Sequence, residues 1–250
     1  MGARYTGRVH PYREHPVHPA LRHVLSCYWT RSGAASAPRR ILPDGAIDLL
    51  FEVSASRAVF VGAMTRPRLL APGPVRTFVA ARFRPGGAWP FLGVPASELT
   101  DTAATLAHLW TDSDRVADAV WGASDPEEGV ARLESALLAR LSGAPVPERW
   151  LMRGVDRLWK DPAVRVGGLA AELGCSRQHL SRRVKAVVGY GPKQLARIGR
   201  IQRVIGRVRE GPADDWARLA NEYGFADQSH LIGDFRDLVG TTPGLFRQQA

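Results

Sequence analysis

LAAELGCSRQHLSRRVKAVVG, residues 169–189, and LANEYGFADQSHLIGDFRDLVG, residues 219–240, follow one plan, and reading them decides the fold. Leu169-Ala170, Glu172 and Gly174 recur 50 residues later as Leu219-Ala220, Glu222 and Gly224. Leu180, Val188-Gly189 and Pro192 recur 51 residues later as Leu231, Val239-Gly240 and Pro243. Self-similarity at a fixed offset marks a repeated structural unit. Here each unit reads as a short helix, a glycine turn and a second helix, the helix-turn-helix plan. Gly174 and Gly224 stand where the first helix must stop, a position that favours left-handed backbone and therefore glycine.

In the first unit Leu180, Val184 and Val187 fall at i, i+4 and i+7 and define a buried face. Gln178, Ser181, Arg182 and Lys185 fall at i, i+3, i+4 and i+7 on the opposite face. That stripe of hydrogen-bonding and cationic side chains suits a DNA major groove, where Gln pairs bidentately with adenine and Arg with guanine. Pro192 opens a helix predicted to run to about Arg209, with Leu195, Ile198, Ile201, Val204, Ile205 and Val208 on its apolar side. Arg197, Arg200, Arg203 and Arg207 lie on other sides. Roughly eighteen residues at ~1.5 Å each give a ~27 Å spacer, enough to set two recognition helices about one DNA turn apart.

Charge points the same way. The 250 residues carry 34 Lys plus Arg against 24 Asp plus Glu, a formal net charge of +10. The excess is concentrated: residues 162–211 hold 11 basic and 2 acidic side chains, and residues 212–250 hold 3 and 6. A basic window of this kind is the electrostatic footprint of a polyanionic partner. The 45% hydrophobic and 23% charged composition is that of an ordinary globular chain. Neither a run of ~18 apolar residues nor a signal-like stretch in Met1–Arg8 is present, so a soluble, cytoplasmic protein without membrane contact is expected. Two cysteines, Cys27 and Cys175, are too few for a disulfide framework or a cysteine-only zinc site.

The amino-terminal half has a different texture. Ser26–Thr30, Ile47–Val53, Arg57–Val61 and Arg76–Phe83 are short apolar runs between turn signals such as Pro43-Asp44-Gly45, and they predict strands of a small barrel or sandwich. From Pro95 the spacing becomes three and four: Leu99, Ala103, Leu106, then Val116 and Val120, then Val130, Leu133, Leu137 and Leu141. Helices are expected there. The uncharged, Pro-containing stretch from Ser142 to Pro147 reads as a linker. The expected class is α+β: a barrel-like domain with trailing helices over 1–142, a linker at 143–149, and an all-α domain of two helix-turn-helix units joined by a linker helix over 150–250.

On these residues the carboxy-terminal part, from about 151 to 248, resembles the DNA-binding domain of the AraC/XylS family of bacterial transcriptional regulators. Gly224-Phe225-Ala226-Asp227-Gln228-Ser229-His230-Leu231, followed by Phe235, Gly240, Thr242-Pro243 and Phe246-Arg247, looks like the family's second-unit signature. The resemblance implies DNA-reading positions at Gln178, Ser181, Arg182 and Lys185 in the first unit, and Arg177 beside them is a further candidate. It implies Gln228, Ser229 and Ile232-Gly233 in the second, and His230 and, on the linker helix, Arg203 are further candidates. Family members often carry a basic residue where this chain has Gly233, and Asp234 follows it; the second unit is expected to grip DNA more weakly. Ile41-Leu42-Pro43-Asp44-Gly45, Phe83-Arg84-Pro85-Gly86-Gly87 and Phe91-Leu92-Gly93-Val94-Pro95 resemble the small-barrel sensor domain of one branch of these regulators.

The expected function is therefore sequence-specific transcriptional regulation through double-stranded DNA, under a small-molecule effector at the amino-terminal domain. A second copy of the chain and RNA polymerase are further candidate partners. Alternation of inward and outward strand positions nominates Trp29, Phe51, Phe60, Phe78 and Phe83 to line the effector pocket. The alternatives are a constitutive DNA-binding protein with a structural or dimerising barrel, and an enzyme of the barrel. For the enzyme, no Ser-His-Asp order, phosphate-cradling loop or paired carboxylates stand out, and no cofactor is expected. His10, His15, His18 and His23 lack metal-ligand spacing and read as a solvated lead-in, with no metal expected. Cys27, beside Tyr28 and Trp29, reads as a small core residue.

Overall fold

The computed structural model describes residues 10–210 and 215–249; the Met1–Arg8 segment read for a secretion signal lies outside them. The amino-terminal part is built on a six-stranded antiparallel sheet in the order β1-β2-β7-β4-β5-β8. Its strands are β1 (His10–His15), β2 (Leu25–Ala35), β4 (Ile47–Glu52), β5 (Arg57–Val61), β7 (Gly73–Phe83) and β8 (Ala103–Thr105). A separate two-stranded ribbon pairs β3 (Arg39–Ile41) with β6 (Arg68–Leu70). Among the described residues the large sheet does not close by hydrogen bonding, with β1 and β8 as its edges; the barrel-like expectation is met as an open sheet.

Register gives the sheet two unlike faces. Leu49 pairs with Phe60 and Ala81, and Phe51 with Val79, so Leu49, Phe51, Phe60, Val79, Ala81 and Phe83 share one fully buried or nearly fully buried face. Short helices α1 (Trp89–Leu92) and α2 (Leu106–Leu109), then α3 (Ser113–Trp121) and α4 (Pro126–Leu141), cover it. Trp110 closes the cluster, its ring 5.7 Å from Phe60 and its indole N–H donating to the Phe91 carbonyl at 2.7 Å. α4 begins at Pro126, with the Asp125 side chain accepting from the Glu128 N–H as its cap, and buries Val130, Leu133 and Leu137. The opposite sheet face carries Trp29, Arg31, Asp48, Phe78 and Arg82, with Arg82 bonded to both carboxylate oxygens of Asp48 at 3.1 Å.

Two sequence expectations change here. The His10–His23 lead-in is not simply loop: it forms β1 and a 3-10 turn at Pro19–Leu21 that buries Leu21. The stretch after Pro95 is not continuously helical either, because a 3-10 turn at Ala96–Glu98 and strand β8 precede α2.

Residues 142–148 separate α4 from α5 (Arg149–Lys160), and Val146 among them is exposed. Beyond lie α6 (Val166–Glu172), α7 (Arg177–Val188), α8 (Pro192–Glu210), α9 (Trp216–Glu222), α10 (Gln228–Val239) and α11 (Pro243–Gln249). The helices pack directly against the sheet domain. Thr100 Oγ1 donates to the Gly189 carbonyl at 2.7 Å, and Gln202 Nε2 donates to the Pro43 carbonyl at 2.6 Å. Gly45 lies against Trp159 and Gly86 against Met152, so one apolar core runs through both parts.

Candidate nucleic-acid interface

Each helix-turn-helix unit is defined by its caps. Ser176 accepts from the His179 N–H at 3.1 Å to start α7, and Asp227 accepts from the His230 N–H at 2.8 Å to start α10. Gly174 and Gly224 end the preceding helices with φ of 68° and 72°. At Gly224 a second constraint applies, since a Cβ would meet the Pro162 carbonyl oxygen at 2.3 Å. Only glycine fits that close backbone approach.

α7 buries Leu180, Val184, Val187 and Val188 and turns Arg177, Gln178, Arg182 and Lys185 outward, with Ser181 half-buried between them. Arg182 reaches back to His179 Nδ1 at 3.4 Å, and the His179 ring stacks on Trp150 with centroids 5.5 Å apart. Arg183 lies off the stripe: its Nη2 meets both Glu148 oxygens at 2.5 and 2.6 Å, and these bonds hold the Glu148 carboxyl below its ordinary range. The exposed cations of the first unit are thus Arg165, Arg177, Arg182, Lys185 and Lys193.

On α10, Gln228, Ser229, His230, Gly233 and Arg236 are exposed and Ile232 is half-buried. His230 is already engaged, with Nδ1 accepting from the Ala226 N–H at 3.3 Å and its ring edge-on to Phe225 at 5.5 Å. Gly233 has open space around it.

Asp234, noted after Gly233 where a weaker grip of the second unit is expected, does not face outward and is not placed to repel phosphate. It is buried, receives Arg197 Nε at 2.6 Å, and lies 3.6 Å from Arg200 and 3.7 Å from His230. Arg197 also bonds Asp237 at 2.5 Å. Burial opposes the Arg197 charge, and its bonds to Asp237 and Asp234 outweigh that, leaving its pKa above the ordinary value. Charges thirty-seven residues apart carry no local sequence signal of pairing, so this bolt between α8 and α10 escapes a sequence reading. Arg203 is also corrected as an outward DNA contact: half-buried, it donates through Nη1 to the Trp159 carbonyl, and burial together with Arg200 lowers its pKa. The +9 of residues 162–211 therefore overstates the charge available to DNA.

The five aromatics nominated for an effector pocket are not brought together. Phe51, Phe60 and Phe83 fill the helix-covered core, while Trp29 and Phe78, 6.3 Å apart, lie on the other sheet face. The histidines serve locally: His15 Nε2 lies 2.9 Å from Thr30 Oγ1, and His18 accepts from the Ala20 N–H. Among the described residues no group of three or more His, Cys, Asp or Glu is placed to hold a metal, and no helix is long and apolar enough to cross a membrane. Cys27 is buried, which pushes its thiol up to about 11.

Residues 169–249, spanning both units, match a helix-turn-helix domain family. These residues form a helix-turn-helix domain of the AraC type. Its class is DNA binding in transcription regulation. Residues 13–105, ahead of the AraC-type domain, match a family described as a domain of unknown function, DUF6597. Among solved structures, ToxT from Vibrio cholerae is similar at 11% identity and a TM-score of 0.47, over 88% of this chain and 98% of that one. The DNA-binding domain of AdpA, a global transcriptional factor crystallised with a target DNA, is 25% identical over 40% of this chain and 87% of its own, with a TM-score of 0.34. A DNA-binding transcriptional dual regulator from Escherichia coli K-12 is 19% identical over 42% of this chain and all of its own, with a TM-score of 0.34. No curated protein matches the chain.

Proposed function

We propose that the protein is a sequence-specific transcriptional regulator in which residues 150–250 read DNA and an effector bound by the amino-terminal domain, residues 1–142, sets how firmly they do so. The observation that carries the DNA-reading part is the α7 stripe. Arg177, Gln178, Arg182 and Lys185 stand exposed on a capped helix whose opposite face is anchored by Leu180 and Val184. Such a helix presents base-reading donors to a major groove without rearranging its own core. α10 adds Gln228 and Ser229 in a second groove. Effector control is supported by the direct bonds between the two parts, Thr100 to Gly189 at the end of α7 and Gln202 to Pro43 on α8, which couple the sheet domain to the reading helices.

The test is selection of genomic fragments by the purified full-length protein, followed by footprinting of the recovered sites. Recovery of a shared motif covering two adjacent major grooves is the expected result. Recovery of fragments with no common sequence would favour constitutive, architectural binding and overturn the reading.

A further inference from the structure

A cleft of about 1350 Å³ opens between the amino-terminal domain and the second half of the AraC-type domain. One wall is the end of β2, the connection to β3, and β3 itself; the other is α8 and α11. Its chemistry is lopsided. Among the described residues, Arg31, Arg39, Arg40, Arg82, Arg209 and Arg247 line it against a single carboxylate, Asp44. Arg82 is satisfied by Asp48 at 3.1 Å and lies 3.8 Å from Asp44. Among the described residues no ion pair occupies Arg31, Arg39, Arg40 or Arg209. Burial, then the neighbouring charge of Arg31, with Arg82 adding to it, depresses the Arg39 pKa despite an opposing influence from Tyr12. Between the guanidiniums the lining is apolar, from Ile41, Leu42, Ile205, Val208 and Phe246.

Like charges that outnumber the carboxylates in a concavity repel one another, and an incoming anion relieves that repulsion while gaining bidentate hydrogen bonds. A guanidinium cluster therefore selects for charge number, and the aliphatic and aromatic lining selects for a body with apolar surface, which a DNA backbone does not offer.

We propose that this cleft binds a small organic polyanion, a molecule carrying two or more carboxylate or phosphate charges on an apolar or aromatic body. It rests on the reading above that an effector controls the protein, and it supplies that effector's chemical class. The ligand touches both walls at once: Arg39 on the sheet side and Arg209 on α8. Occupancy thereby ties the amino-terminal domain to the helix that joins the two reading units.

The experiment uses the full-length protein with four probes, titrated by calorimetry and followed by thermal melting: ADP, benzene-1,3,5-tricarboxylate, neutral adenosine and monoanionic laurate. ADP or the tricarboxylate is expected to bind and raise the melting temperature where adenosine does not. Arg39→Gln and Arg209→Gln, one on each wall, should each weaken that binding at least tenfold, and Arg182→Ala on α7 should leave it unchanged. A response to the diphosphate alone or the tricarboxylate alone assigns the anion type within the proposed class. Failure of both polyanions to bind at millimolar concentration overturns the proposal. So does binding insensitive to the cleft variants but lost in Arg182→Ala, which places the anions on the DNA-reading face. Laurate binding as tightly as the polyanions overturns the charge requirement. Cleft binding that leaves affinity for a recovered operator unchanged upholds the site and overturns effector control, so the two readings fail separately.

Discussion

Replacing Gly233 by Arg tests whether the second unit lacks only a cation. Gly233 lies inside α10, one turn after Ser229, is exposed, and has nothing within 4 Å of the position a Cβ would take. Its φ is not in the left-handed region, so an L side chain is accommodated without strain. Removing a helix-interior glycine gains about 0.8–1.0 kcal/mol in helix propensity. For a chain of this size that corresponds to a rise of about 2–4 °C in Tm. Asp237, the acid one turn further on, is already held by Arg197 at 2.5 Å, which leaves the new guanidinium free to reach DNA. One added phosphate contact steepens the salt dependence of binding by ~0.9 in log K against log salt, so the variant's advantage falls about 3.5-fold between 50 and 200 mM. Fluorescence anisotropy on a recovered operator across a salt series, alongside a thermal melt, measures both effects. A variant that melts higher but binds more weakly, or with an unchanged slope, would refute the reasoning and show that DNA backbone closes directly on the glycine.

Arg182→Ala should cost roughly 1–3 kcal/mol of operator affinity and relax preference at one or two base pairs, with melting unchanged; equal affinity across a panel of operator point variants contradicts this. Asp234→Asn leaves the half-buried Arg197 short of a charged partner and should lower stability by about 1–3 kcal/mol, with the footprint over the second half-site fading before the first; a uniform loss over both half-sites speaks against a local bolt. Glu52, buried and bonded by Arg76 through both oxygens at 2.5 Å, has its carboxyl held below the ordinary 4.5, chiefly by those bonds. A depressed folded-state pKa gives stability that is present above the unfolded value and lost as pH falls through the folded one. Glu52→Gln should therefore destabilise at neutral pH, and its gap from the wild type should close as pH drops below 4.5; a gap constant from pH 7 to pH 3 denies the carboxylate this role.

The helix-turn-helix units were legible because their signals are local. A glycine at a helix end, an apolar i, i+4, i+7 face and a Ser or Asp cap each act within one turn, and Leu180, Gly174 and Gly224 sit where those rules place them. The strands Ile47–Glu52 and Arg57–Val61 were legible for the same reason. β3, β6 and β8, three residues each, are too short to show alternation, and β1 is interrupted by Pro11 and fixed by its pairing with β2. The aromatic set failed on parity. Alternation says that neighbours on a strand face opposite ways, but which face Phe51 shares with Phe83 and not with Phe78 follows from cross-strand register. Asp234 failed for a related reason: its partners Arg197 and Arg200 come from another helix, and only packing shows that the acid points inward.

Within the helical part α8 is fastened through Arg203 to the end of α5 and through Arg197 and Arg200 to Asp234 on α10. Under the proposed function, the two reading helices are thereby carried at a set separation and rotational phase by a single chain. They are also not alike: α7 offers Gln178, Arg182 and Lys185, where α10 offers Gln228, Ser229 and a bare Gly233. A protein that docks as two identical halves sits equally well in either direction on a palindrome. One chain has no such symmetry, so under the proposed function the site it reads is a polar element, and inverting that site turns the whole chain, sheet domain included, to face the other way along the promoter.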